Sequence, residues 1–289
     1  MTGPVMFPVS PGVHPLSISA KAQAWRATAR AAVPYRSALA PLAATGLALC
    51  LALTGCATPP QPTGAAVTWA GRPVGPPPPP NPGLKQSMIS RANQEWAFFG
   101  NQTVVLKGSE ESIPHVGYWE DDGYPYSNRV NAYWTAAGKP RLDGMDCQQP
   151  WSAAFVTWIM QGAGVPMDQF PSATAHWIYL SRIIDQSDYP GRWFVPRRVV
   201  DYSPNPGDLV CASRGNSRPE SFNGYTTASA LSGAQTHCDL VVAKQDATLE
   251  VVGGNVRNSV SRTTLELDAS GHLKPVPRRP WFVILENRL

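Results

Sequence analysis

Between Ala57 and Leu84, ten of 28 residues are proline, including the unbroken run Pro76 to Pro80. Proline fixes φ and lacks a backbone N–H, so such a stretch favours extended polyproline II geometry and buries little. That break divides the chain. A packed core is expected in the 205 residues from Lys85 to Leu289, enough for one domain, and residues 56–84 read as a stiff tether. Residues 1–55 have a different character. Lys21, Arg26, Arg30 and Arg36 form a basic region free of acidic residues, and an apolar run from Ala38 to Leu53 follows, interrupted by Pro41, Thr45 and Gly46. The run is shorter than the ~20 residues a membrane-spanning helix needs. A basic region, a short apolar core and small residues at the exit form the pattern of a secretory signal peptide.

The exit reads Leu53-Thr54-Gly55-Cys56, which resembles the lipobox of bacterial lipoprotein signals. The resemblance implies cleavage before Cys56 and diacylation of its thiol, and two acyl chains anchor stably where one does not. An uncleaved anchor is the alternative. Ala57 follows the cysteine where Asp would signal retention, so the sorting pattern of such lipoproteins implies the outer membrane, facing the periplasm. Loss of residues 1–55 removes four of the 24 basic residues and none of the 20 acidic ones, leaving a formally neutral chain. Nucleic-acid binding is not expected, because basic residues cluster no further than pairs such as Arg197-Arg198 and Arg278-Arg279.

Within the domain, Gln86 to Phe99 places Met88, Ile89, Ala92, Trp96 and Phe99 near helical spacing. Gly117 to Tyr126 reads as loop. Pro150 to Ala163 is the strongest helix, with proline at its start and Gly162 and Gly164 at its end. Ser172 to Asp185 reads as a further helix. Strand-like segments follow: Trp193–Val200, Asp208–Ala212, His237–Ala243, Leu249–Val252 and Trp281–Leu285. Helices followed by strands predict an α+β fold, N-terminal helices packed on a largely antiparallel sheet.

Cys147, Cys211 and Cys238 remain beyond the lipidation candidate and the signal. An oxidising compartment permits disulfides. Cys211 and Cys238 fall early in successive strands, which makes them the preferred pair. No cysteine or histidine cluster has zinc spacing, so neither a metal nor a cofactor is indicated.

Three islands carry candidate chemistry: Pro150-Trp151-Ser152-Ala153-Ala154-Phe155-Val156; Pro206-Gly207-Asp208 with His237-Cys238-Asp239; and Val251-Val252-Gly253-Gly254-Asn255. A nucleophile at a helix N-terminus has free N–H groups and a positive field beside it. A histidine at a strand start can serve as its base, and an asparagine on the next strand can orient that imidazole. The order Ser152, His237, Asn255 fits this logic. Asp239 is expected to face away from His237 and to be a poor partner for it. Asp208 reads as a turn residue, and His115 and His272 as solvated. The aromatic set Trp119, Tyr124, Tyr126, Tyr133 and Trp134 reads first as core or lid and second as a groove for sugar or peptide.

Together these islands resemble papain-like cell-wall hydrolases, the NlpC-type peptidases and CHAP amidases. Within them the chain is most similar to an uncharacterised lipoprotein family, domain of unknown function 2272, with its Pro-Trp-Ser-Ala-Ala-Phe and His-Cys-Asp motifs. The resemblance spans Trp151 to Val260. It implies a papain-like fold and a peptidoglycan amidase or peptidase acting on cell-wall peptides. Ser152 would be nucleophile, His237 base and Asn255 orienter, with Trp151, His176 and Trp177 lining the cleft. Ser152 stands where those hydrolases carry cysteine. A thiol near pKa ~8.5 is readily drawn to thiolate, whereas a serine must shed its proton during attack. Three readings stay open: a Ser-His-Asn hydrolase, a binding module that kept the cleft without chemistry, and chemistry elsewhere, with Cys147 the candidate.

Overall fold

A computed structural model describes residues 68–217 and 227–289. Cys56 and the signal segment lie outside the described residues, as do residues 57–67 of the proline-rich stretch.

The described chain opens with a short hairpin, β1 (Thr68–Trp69) and β2 (Arg72–Pro73). Ala70 and Gly71 between them both have positive φ, the requirement of a two-residue type I′ turn. Trp69 is fully buried in the main core. Arg72 donates to the Ile184 carbonyl at 3.0 Å, and Gly75 N–H to the Ser187 carbonyl at 2.9 Å. The folded body therefore takes in residues upstream of Lys85, which itself lies within α1 (Pro82–Phe98). Asn81 caps that helix, its side chain accepting from Leu84 N–H at 3.1 Å, with Pro82 at the first position.

After α1 come β3 (Thr103–Lys107) and β4 (Glu110–His115), then α2 (Tyr124–Ala136), α3 (Ser152–Ala163) and α4 (His176–Asp185). The rest is mainly sheet: β5 (Phe194–Arg197), β6 (Leu209–Ser213), the one-turn α5 (Ala228–Leu231), β7 (Thr236–Lys244), β8 (Thr248–Val256), β9 (Ser259–Glu266) and β10 (Trp281–Asn287). Eight strands form one sheet in the order β4-β3-β9-β8-β7-β6-β10-β5. Every pairing is antiparallel except β3 with β9. The fold is thus α+β with a largely antiparallel sheet. The helices do not all precede the strands, because the β3–β4 hairpin separates α1 from α2 and closes one edge of the sheet.

Both faces of the sheet are covered. Leu240, Val252, Val283 and Leu285 pack with the helices, whereas Val241, Val251 and Ile284, one residue out of phase, join Val104, Leu267 and Val276 in a second core. Strands buried on both faces read as continuous apolar runs, as Leu240-Val241-Val242 does, rather than as alternation. Helix α3 is buried almost all round, from Ser152 through Thr157 and at Ile159 and Met160, and it touches α1, α2, β7 and β8. Gly164 closes it in a left-handed conformation, φ 95°. Cys211 and Cys238 lie directly opposite each other on β6 and β7 and are disulfide-bonded.

Candidate functional site

Helix α3 begins at Ser152, preceded by Trp151, whose side chain makes no cap hydrogen bond. The N–H groups of the first turn have no partner within the helix and carry its positive end. Helix α4 begins at His176, and its N-terminus meets that of α3. The Ser152 hydroxyl lies 2.6 Å from His176 Nε2, and His176 Nδ1 lies 2.5 Å from the Tyr179 hydroxyl, one turn along α4. Burial, and then the neighbouring His237, push the His176 pKa well below 6.5. A neutral imidazole has one N–H and one bare nitrogen, so Nε2 can accept the serine proton when Nδ1 carries the hydrogen.

His237 is not that partner. Its Nε2 is 2.7 Å from Asp239 Oδ1, and its Nδ1, also buried, has no hydrogen-bond partner among the described residues. Its ring centre stands 5.4 Å from that of His176. The strand's parity accounts for this: Cys238 and Leu240 face the helices, so His237 and Asp239 take the alternate positions. Residues two apart in a strand share a face, and the expectation that Asp239 would turn away from His237 is corrected on that ground. Arg279 completes the cluster at 2.9 Å from Asp239 Oδ2. Burial alone would raise the Asp239 carboxyl, but the interaction with His237, including its hydrogen bond, and the Arg279 charge hold it down at about 2. Burial in turn lowers His237, against the pull of Asp239.

Asn255 has a different partner again. It sits on β8 with φ 57°, and its amide donates to Glu120 Oε2 at 3.2 Å. The same oxygen accepts the Trp151 indole N–H. Glu120 is buried, which raises its pKa against the indole hydrogen bond. One carboxylate thus ties the residue before Ser152 to the end of β8. The two glycines before Asn255 permit close approach: a Cβ at Gly253 would lie 1.7 Å from Asp239 Oδ1, and one at Gly254 would lie 2.5 Å from Phe155 Cβ.

A cleft of about 570 Å³ opens over this region, lined by Ser152, His176, Trp177, Cys147, Arg214 and Asn255 among others. Trp151 stays in the core beneath it, stacked against Phe99 and Tyr133. Cys147 is exposed and unbonded, neither buried nor in a disulfide. Partial desolvation and the Asp121 and Glu120 carboxylates push its thiol up, the opposite of what a thiolate nucleophile requires. The aromatic set divides: Tyr133 and Trp134 are core, Tyr126 stacks on Tyr118, and Tyr124 and Trp119 are exposed. Asp208 is buried and accepts from the backbone of Asn205 and Asn287 and from the Tyr202 hydroxyl, clasping the turn before β6 to β10. His115 is exposed and reaches the Gly100 carbonyl at 2.9 Å. Among the described residues no group of three His, Cys, Asp or Glu side chains stands where a metal ion could be held.

Sequence reasoning placed His176 only among cleft-lining residues. A signal was present, since His176 and Tyr179 are spaced i, i+3 and share a face if the segment is helical. Nothing in the sequence joined that helix end to Ser152.

Residues 114–287 match a family described as uncharacterized proteins conserved in bacteria, domain of unknown function 2272. The match covers more than half of the chain and contains Ser152, His176, His237, Asp239 and Asn255. The protein belongs to this family. Neither a curated protein nor a solved structure matches the chain significantly.

Proposed function

We propose that this protein is an envelope lipoprotein whose domain is a papain-like hydrolase of peptidoglycan, an amidase or peptidase, with Ser152 as nucleophile and His176 as base. The observation that carries this reading is the 2.6 Å contact between the Ser152 hydroxyl and His176 Nε2 at a helix N-terminus facing the cleft. In the step envisaged, Ser152 Oγ attacks a substrate amide carbonyl while its proton passes to Nε2. The tetrahedral oxyanion is stabilised by free N–H groups of the first turn of α3. The imidazolium returns its proton to the departing amine, leaving an acyl-enzyme that water hydrolyses. Tyr179 orients the imidazole, and Asn255 helps to shape the cleft rather than to hold the base. Support for papain-like kinship comes from the helix N-terminus carrying the nucleophile and from the antiparallel strands packed against it. Support for the envelope setting comes from the signal pattern ending at Cys56, which favours a lipid anchor in the outer membrane and cell-wall peptides as partner.

A second reading rests on a specific observation. Ser152 and His176 are each only 3% exposed, and the buried Tyr179 hydroxyl is fully satisfied only when it donates to Nδ1, which sets Nε2–H toward serine. In that tautomer the site is a closed polar cluster under a binding cleft.

The test is a digest of purified peptidoglycan by the full chain in mild detergent, with fragments read by mass spectrometry. Hydrolysis predicts products from wild type that vanish in Ser152→Ala and in His176→Ala but persist, reduced, in His237→Gln. Products from Ser152→Cys alone would establish the cleft as a binding module whose nucleophile was lost. Silence from every variant would end the peptidoglycan hydrolase reading.

A further inference from the structure

Beside the Ser152 cleft lies a smaller cavity of about 230 Å³, walled by Arg214, Arg257, Arg278 and Arg279 together with His237 and Asn255. Arg214 and Asn255 line both spaces. Four guanidinium groups in one small cavity repel one another, and two carboxylates answer them. Glu111 takes Arg257 through two bonds of 2.8 and 2.7 Å and stands 3.7 Å from Arg278, while Asp239 takes Arg279 at 2.9 Å. Arg214 has no side-chain hydrogen bond or ion pair among the described residues. Its backbone is nonetheless fixed, its N–H bonding the Gln235 carbonyl at 2.8 Å, directly after β6. The wall therefore carries surplus positive charge.

A second, independent feature points to an occupant. His237 is 4% exposed and its Nδ1 has no partner among the described residues. The hydrogen on Nε2 is committed to the ionised Asp239, so Nδ1 presents a bare lone pair that asks for a donor. Buried polar groups are ordinarily paired, and an orphan in a cavity wall marks a place for a ligand atom. An inorganic anion that carries no hydrogen, such as sulfate, satisfies the arginines and leaves Nδ1 unsatisfied. A carboxylate with an amide N–H beside it satisfies both.

We propose that this arginine-lined cavity is a binding site for the C-terminal residue of a peptide, its α-carboxylate held by Arg214 and Arg278 and its amide N–H donated to His237 Nδ1. Charge-assisted hydrogen bonds from guanidinium to carboxylate supply the affinity, and the histidine supplies the choice of carboxylate. Because the cavity adjoins the Ser152 cleft through Arg214 and Asn255, a peptide seated by its C-terminus would extend into that cleft. This placement rests on the hydrolase reading; the binding site itself does not.

The experiment is a titration of the full chain in mild detergent, followed by calorimetry, with three probes: N-acetylglycine, propionate and sulfate. N-acetylglycine is expected to saturate, with propionate, which lacks the amide, about tenfold weaker and sulfate no tighter than propionate. Arg214→Gln and Arg278→Gln should each weaken N-acetylglycine by about tenfold or more. Absence of saturable N-acetylglycine binding in wild type, binding indifferent to Arg214→Gln, or sulfate binding tightest would each overturn the proposal. Saturable binding alongside a silent peptidoglycan digest would sink the hydrolase reading and spare this site; products without binding would do the reverse.

Discussion

At the scale of single residues, the candidate chemistry turns on two buried imidazoles held neutral by desolvation. His176 and His237 both titrate below 6.5 in the folded chain. The unfolded chain therefore binds more protons as pH falls through 6.5, and stability declines in that direction. We expect the urea midpoint to drop between pH 8 and pH 5, and His176→Gln to flatten that drop; an unchanged slope in the variant would show that His176 is not a neutral buried base. Under the proposed hydrolase reading, activity should correspondingly persist below the ordinary imidazole range, because Nε2 stays unprotonated there. Asp239 acts lower on the scale: held near 2, it contributes stability above the unfolded value of 3.8 that is lost as pH falls toward 2.

At the scale of elements, Glu120 joins the loop before α2 to both the start of α3 and the end of β8. Glu120→Ala would leave the buried Trp151 indole without an acceptor, a loss of about 1–3 kcal/mol, while the half-buried Asn255 amide can turn to solvent. A denaturant midpoint shift within that range, with Glu120→Gln less severe, checks the assignment. Elements also differ in how legible they were. Helix α3 stands out in sequence because Ala153, Ala154, Phe155, Val156, Ile159 and Met160 make it apolar on nearly every face. Helix α2 was read as loop up to Tyr126 because Tyr124-Pro125-Tyr126-Ser127-Asn128 is a poor helix former; its burial of Val130, Tyr133 and Trp134 decides the matter. Strands β3, β4 and β9 were missed for a related reason. β4 and β9 are polar, as Ser259 to Thr264 shows, and β3 offers only the short run Val104-Val105-Leu106; pairing across the sheet determines them.

For the whole molecule, two long-range ties set the stability of the body. Cys211 and Cys238 close a loop with a sequence separation of 27. Replacing both with alanine should lower stability by about 3–4 kcal/mol from the loop-closure term, measured as a denaturant midpoint under matched redox conditions. The other tie is the β1–β2 hairpin. A chain starting at Lys85 lacks Trp69, whose removal from a core is worth about 3–5 kcal/mol. We expect Trp69→Ala to lose about that much and the Lys85 truncation to lose more, since it also removes the Asn81 cap and the Arg72 and Gly75 hydrogen bonds. A truncated chain as stable as the full one would show that the hairpin is dispensable.

The sequence by itself determined the antiparallel strand character, the buried helix that presents Ser152, the family, and the positions of Cys211 and Cys238 early in neighbouring strands. These follow from local pattern: apolar runs, turn residues and motif spacing act within one element or between adjacent ones. Only the tertiary structure decided which imidazole meets Ser152. A shift of one residue in a strand moves a side chain to the opposite face, and the parity of β7 gives the helix-facing place to Cys238 and leaves His237 with Asp239. The place beside Ser152 went to His176 because the first residues of α3 and α4 come together, a meeting of two helix starts 24 residues apart while both helices pack on the sheet through β7.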